Sequence, residues 1–252
     1  MIKRSIFPVG GEPPAYPGDL KIMSQGSGVR LLQELLVLQE FPVLVDGVMG
    51  KGTLGALQAF AKKSKQLMDE CLNNGVWTYL ILPMLNCLVE LPQAKSLEAT
   101  ALSYAQRHLN AGAREIPPNT GPWVRLYCGG KDGRPYAWCA GFVSFCIRQA
   151  AIVHKVRGVP NSLSSTVIAN WGKRQGLLVS DAFGIAPGAL FVVPGKRGYV
   201  HIGFVKEQLG RSIVTIEGNS NEAGSAEGIK VIERVRLLST VDVIMGYSPE
   251  GK

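Results

Sequence analysis

Apolar residues recur at helical spacing in the first two thirds of the chain and alternate at strand spacing in the last third. Val29, Leu32, Leu35, Leu36 and Leu38 form a stripe that predicts one helix, 45–50 reads as a turn, and Leu54, Leu57 and Phe60 predict a second helix with Thr53 as its N-cap. The apolar run 76–91 is interrupted by Pro83 and Asn86 and falls short of the roughly 18 residues of a membrane span. It predicts a buried helical pair or a broken helix. Pro92 closes that region and Ser96 can cap the next helix. Further helices are expected over 97–109, 124–128, 139–153 and 164–174, and strands over 188–193, 200–206, 212–217, 230–236 and 241–247. Helices followed by strands give an α+β class, with an antiparallel sheet packed on helices behind a small helical bundle. The expected organisation is an extended Pro- and Gly-rich segment over 1–24, a helical domain over 25–92 and a second domain over 97–252. No low-complexity linker separates the two domains, so they should be close neighbours.

The chemistry concentrates at two places. After the flexible run 129–135, Phe142, Val143, Phe145, Cys146 and Ile147 mark a buried helix with Cys139 near its start. The unpaired N–H groups and positive dipole end there favour a thiolate nucleophile, although a lone cysteine beside apolar residues is more often a small core side chain. The strand 198–205 places His201 at a position where an apolar residue would be easier to bury. A second strand follows the Gly210 turn and ends at Glu217-Gly218-Asn219, so a hairpin can bring Glu217 and Asn219 to His201. A cysteine nucleophile needs such a set: a base to take its proton and a polar group to fix the base's tautomer. His108 and His154 lie near helix ends and read as solvated or helix-end residues. Tyr136, Trp138 and Trp171 are candidates to line a cleft, with Tyr136 and Trp138 as substrate-binding residues.

Composition narrows the setting. The chain has 252 residues, 46% hydrophobic and 18% charged, which suits a globular protein of two small domains or one large one. Its five cysteines, Cys71, Cys87, Cys128, Cys139 and Cys146, follow neither zinc nor disulfide spacing and read as reduced thiols. Asp132, in Lys131-Asp132-Gly133, is one carboxylate where calcium would need six to eight oxygens, so no metal and no cofactor is expected. Residues 1–92 hold eight basic and eight acidic side chains, so the whole net charge of +8 falls on the remainder. That excess suits an anionic polymer. Nucleic acid is disfavoured, because helix-turn-helix spacing, zinc-finger spacing and basic-aromatic interleaving are all missing.

With those residues in view, the second half resembles CHAP domains, the cysteine, histidine-dependent amidohydrolases and peptidases of bacterial cell-wall enzymes. The likeness rests on Trp138-Cys139-Ala140, Val200-His201-Ile202-Gly203, Glu217-Gly218-Asn219 and an upstream run of Arg114-Glu115-Ile116, Asn119, Gly121, Val124 and Tyr127. It implies a papain-like arrangement, with Cys139 as nucleophile, His201 as general base and Glu217 with Asn219 as the orienting pair. Val29, Leu32-Gln33, Leu36, then Asp46-Gly47-Val48-Met49-Gly50, Thr53, Ala56-Leu57 and Phe60 resemble a small peptidoglycan-binding domain that accompanies many wall hydrolases. The chain departs from that pattern at Met49, where an aromatic is common, and at Ala61, where glutamine is frequent.

Together the resemblances imply a monomeric peptidoglycan hydrolase that cuts an amide in or at the stem peptide, similar to a modular phage endolysin. Its partner would be the cell wall, with no nucleic acid and no membrane. Residues 5–14 lack the apolar core of a signal peptide, so the chain is expected in the bacterial cytoplasm, reaching the wall or periplasm after release or delivery. An injected interbacterial effector, a wall-binding protein without turnover and an amidase for a small substrate remain open.

Overall fold

In the first element, α1 (Ser27–Leu38), Val29, Leu32 and Leu36 are fully buried on one side. The computed structural model describes residues 10–221 and 228–247. The part of the extended lead-in before residue 10 and the last five residues of the second expected domain therefore lie outside the described residues. Three helices follow α1: α2 (Lys51–Lys63), α3 (Asn74–Leu80) and α4 (Leu82–Leu88). The broken apolar run is thus a helical pair, with Pro83 in the first turn of α4, where its missing N–H costs nothing.

Thr53 is not the cap expected of it. α2 begins two residues earlier, after Gly50, and the buried Thr53 hydroxyl accepts a hydrogen bond from Gln33 Nε2 at 3.1 Å. Gln33 also donates to Asp46 Oδ1 at 2.8 Å and to the Val48 carbonyl at 3.1 Å, and its Oε1 accepts the Gly47 N–H at 2.7 Å. One buried amide therefore organises the whole turn between α1 and α2. At the boundary the expected cap does form, Ser96 Oγ accepting the Ala99 N–H at 3.1 Å.

The second half opens with α5 (Leu97–Asn110), α6 (Pro122–Tyr127), α7 (Cys139–His154) and α8 (Ser165–Arg174), then the strands β1 (Leu178–Ser180), β2 (Leu190–Gly195), β3 (Gly198–Leu209), β4 (Ser212–Ser220), β5 (Lys230–Leu237) and β6 (Asp242–Ile244). The strands form one antiparallel six-stranded sheet in the order β1-β6-β2-β3-β4-β5. β1 has only three residues and was not visible in the pattern; it is held by pairing with β6. Alternation along the strands divides two cores. Ile202, Phe204 and Ile216 join the helices, while Phe191, Val205, Ile213 and Val243 form a smaller cluster of their own.

The larger core runs without interruption from Val29, Leu36 and Trp77 in the first four helices to Tyr104, Trp138, Phe142 and Phe204 in the second half. Polar ties follow the same route. Arg125 of α6 pairs with Glu34 of α1, Arg114 donates to the Leu38 carbonyl at 2.7 Å, and Gln149 donates to the Cys87 carbonyl at 2.8 Å. No helix among the described residues is long and apolar enough to cross a membrane.

Candidate active site

Cys139 is the first residue of α7, preceded by Trp138 at the N-cap position. The first bond of the helix runs from the Phe142 N–H to the Trp138 carbonyl at 2.8 Å, so the N–H groups of Cys139, Ala140 and Gly141 point out of the helix start. The helix is seated by two close approaches. A Cβ at Gly141 would come within 2.9 Å of the Tyr127 carbonyl oxygen, and one at Gly218 within 2.8 Å of the Phe142 side chain. Glycine at both positions lets α6 and β4 press on the cysteine helix. Cys139 itself is 4% exposed.

His201 stands on β3 opposite Val193, beside the bulge where β2 shifts register. Its Nε2 lies 2.9 Å from Glu217 Oε2 on β4, and both side chains are buried. Nδ1 makes no hydrogen bond among the described residues, and the Cys139 thiol is near enough to act on the ring. Catalytic contacts of this kind commonly tighten only when substrate is bound. Burial alone would lower the His201 pKa. The hydrogen bonds and charges of Cys139 and Glu217 outweigh it and lift the value to about 9.

Glu217 is fully buried and densely solvated by protein. Arg236 on β5 grips it with two bonds, Nε to Oε1 at 2.6 Å and Nη2 to Oε2 at 2.7 Å. Thr215 Oγ1 donates to Oε1 at 2.6 Å and Ser220 Oγ to Oε2 at 3.0 Å. Burial pushes its pKa up, but Arg236 and His201 prevail and hold the carboxylate well below its usual range. The imidazole bond thus belongs to Glu217. Asn219 is fully buried two residues on, at the β4 bulge, with φ 54°, a left-handed conformation that asparagine tolerates better than most residues.

Trp138 does not line a cleft, as had been expected of it. Its ring is wholly buried, stacked on Tyr127 at 5.5 Å between centroids, and its Nε1 donates to Glu115 Oε2 at 2.7 Å. Trp138 is therefore a core residue that seats the helix start. Tyr136 is half-buried against the same core. His108 is not solvated either. It is fully buried among Trp123, Tyr127, Phe142 and Phe145, with Nδ1 2.9 Å from the Tyr127 hydroxyl and Nε2 3.2 Å from Gln149 Oε1. Burial there lowers its pKa to about 4.

Asp132 accepts from Arg125 Nη1 at 2.6 Å and from the Gly121 N–H at 3.1 Å, and among the described residues no group of three or more His, Cys, Asp or Glu is placed to hold a metal. Nothing in the sequence pointed to Arg236, and Glu115 entered only within the Arg114-Glu115-Ile116 run, with no role attached to it. Each acquires its partner through long-range packing.

Residues 131–219 match the model of the CHAP domain, a segment that contains Cys139, His201, Glu217 and Asn219. The match supports a hydrolase acting on peptidoglycan, and the α+β fold with its antiparallel sheet is compatible with that domain. No curated protein and no solved structure is detectably similar to the chain.

Proposed function

We propose that the chain is a cysteine peptidoglycan hydrolase that cuts an amide bond in the stem peptide or between that peptide and the sugar. The observation that carries this reading is the Cys139–His201–Glu217 constellation inside the matched segment: a cysteine at a helix start, and a buried histidine whose far nitrogen is held by an ionised carboxylate. In this mechanism His201 Nδ1 takes the Cys139 proton and the sulfur attacks the amide carbonyl carbon. The N–H groups at the start of α7 receive the oxyanion. His201 then protonates the departing amine, and water, giving its proton to His201, releases the acyl group from sulfur.

The four N-terminal helices serve as the wall-binding part in this reading, and the excess of basic residues beyond residue 92 draws the enzyme to the anionic wall. The setting that fits best is lysis of a bacterial host by a phage endolysin, with the chain made in the host cytoplasm. Mass spectrometry of fragments released from purified sacculi tests the chemistry, with Cys139→Ala as control. Free stem peptides mark an amidase, and sugar-bearing fragments with new peptide ends mark an endopeptidase. Release by the Cys139→Ala chain at the wild-type rate overturns the mechanism. A cognate immunity protein encoded beside the gene would overturn the endolysin setting.

A further inference from the structure

We propose that Arg236, which lies outside the matched segment, is a positioning residue of the cysteine site: by balancing the charge of Glu217 it lets Cys139 ionise beside a protonated His201. The inference depends on the cysteine mechanism above but not on which bond is cut, or on the substrate being peptidoglycan.

The geometry is that of a fork on a carboxylate. β5 lies beside β4 with Arg236 opposite Ile213 and Ile232 opposite Glu217, and the guanidinium reaches along the strand to both carboxylate oxygens, at 2.6 and 2.7 Å. The Arg236 side chain is 12% exposed and that of Glu217 is 0% exposed. Phe191 of β2 backs the guanidinium, 5.1 Å from its ring centroid. Around Glu217 the other polar partners among the described residues include Thr215 and Ser220 of its own strand, His201 of β3, and Arg234 of β5, whose Nε is 4.0 Å from Oε1. Cys139 acts on His201 and on Cys128, and Asp132 acts on Cys128 as well. Burial, then the charges of Cys139 and Asp132, push the Cys128 thiol up to about 12, so it remains neutral.

Positive and negative groups therefore alternate along the path Arg236, Glu217, His201, Cys139 once the imidazole is protonated and the thiol ionised. That state is neutral overall. When the thiol beside a protonated imidazole gives its proton to solvent, the set goes from a net charge of plus one to neutral; without Arg236 the same step would go from neutral to a net negative charge in a buried site. A dry interior penalises such a charge heavily. Arg236 thereby frees the imidazolium to serve the sulfur as well as the carboxylate. Arg234 stands farther off and makes no fork, so it substitutes poorly.

The test is the pH dependence of Cys139 alkylation by iodoacetamide, which reacts with thiolate and needs no wall substrate. It is read by peptide mass spectrometry on folded protein. In Arg236→Met the profile is expected to move to higher pH by roughly one unit, so that alkylation at the wild-type half-maximal pH falls several-fold. Arg236→Lys keeps the charge and should stay within a few tenths of a unit of wild type. Arg236→Met combined with Glu217→Gln removes both charges and should return most of the shift. Where Arg236→Met does not fold, Arg236→Gln, which still donates to Glu217 but carries no charge, takes its place. A merely structural arginine would lower thermal stability without moving the profile. A profile unchanged in the neutral variants, or a double variant that keeps the full shift, overturns the proposal. Failure to digest any sacculus, with the alkylation shifts intact, would count against the peptidoglycan reading alone.

Discussion

Glu115 Oε2 accepts the indole N–H of Trp138 at 2.7 Å, tying the residue immediately before Cys139 to a carboxylate 23 positions upstream. The same carboxylate accepts the Asn119 N–H at 3.0 Å through Oε1, and the Glu115 N–H itself donates to the Ile229 carbonyl at 2.8 Å. Three separate stretches of chain meet there. Glu115→Ala leaves a buried indole N–H without its acceptor, which costs about 1–3 kcal/mol. The expected outcome is a melting temperature several degrees lower and a kcat reduced more than KM is raised, since the helix start is displaced while the substrate surface is not. Thermal melts and steady-state rates on solubilised wall fragments check both.

In the proposed mechanism the proton on His201 sets the alkaline limit of activity. With its pKa lifted to about 9, the imidazole keeps its proton at neutral pH and can hand it to the leaving amine. kcat/KM is expected to fall as pH rises through about 9. Glu217→Gln removes the anion that supports the imidazolium, so the decline should begin at lower pH. Rates that climb steadily beyond pH 9 would be incompatible with this arrangement.

Stability should respond to pH through two histidines with opposite signs. His201 is raised from 6.5 to about 9, so its contribution is complete below 6.5 and is lost as pH climbs through 9. His108 is lowered from 6.5 to about 4, so its contribution is complete above 6.5 and is lost as pH falls toward 4. The His108 loss amounts to roughly 3 kcal/mol between those limits. Urea midpoints measured from pH 4 to 10 should peak near 6.5. In His108→Leu the acid slope should flatten, although the variant is less stable throughout because Tyr127 and Gln149 lose their partner.

Arg125 joins the two halves of the chain. It pairs with Glu34 on α1 and, at 2.6 Å, with Asp132 in the loop that leads to Cys139. The Glu34 side chain is 4% exposed, so Arg125→Met leaves a buried carboxylate with only the longer, more exposed contact to Arg30 Nε at 3.7 Å. A loss of about 1–3 kcal/mol is expected, read as a lower urea midpoint. Adding Glu34→Leu should restore part of it, because the poorly paired charge is then gone. Restoration would separate the cost of a poorly paired charge from that of lost packing.

What the chain reveals by pattern is what periodicity encodes. The cysteine helix, the histidine strand and the hairpin to Glu217 each show their own spacing, and the expected helical and strand stretches of the second half correspond to α5–α8 and β2–β6 within a few residues. Partners set by packing were not legible. Gln33 is visible only as a motif position, and its task becomes clear once Asp46, Val48 and Thr53 fold around it. Trp138 reads as a cleft aromatic because a motif says nothing about the side to which its ring turns, and burial on Tyr127 with a bond to Glu115 decides it. His108 lies near a helix end, but α5 packs on α7, so the position is interior. Arg236 belongs to a strand whose alternation places an arginine on a face that turns out to carry a buried carboxylate.

The uninterrupted core between the first four helices and the sheet domain has a mechanical consequence. A catalytic unit on a flexible tether can graze many bonds from one anchoring point, its range growing with tether length. Here the interior is shared, so the front helices and the cysteine site belong to one packed body. Under the proposed function, whatever surface the front helices grip, the sulfur would strike only at one fixed offset from it. Each new cut would then require the whole molecule to let go and settle again, and grafting the front helices onto another enzyme would tear open an interior rather than transplant a handle.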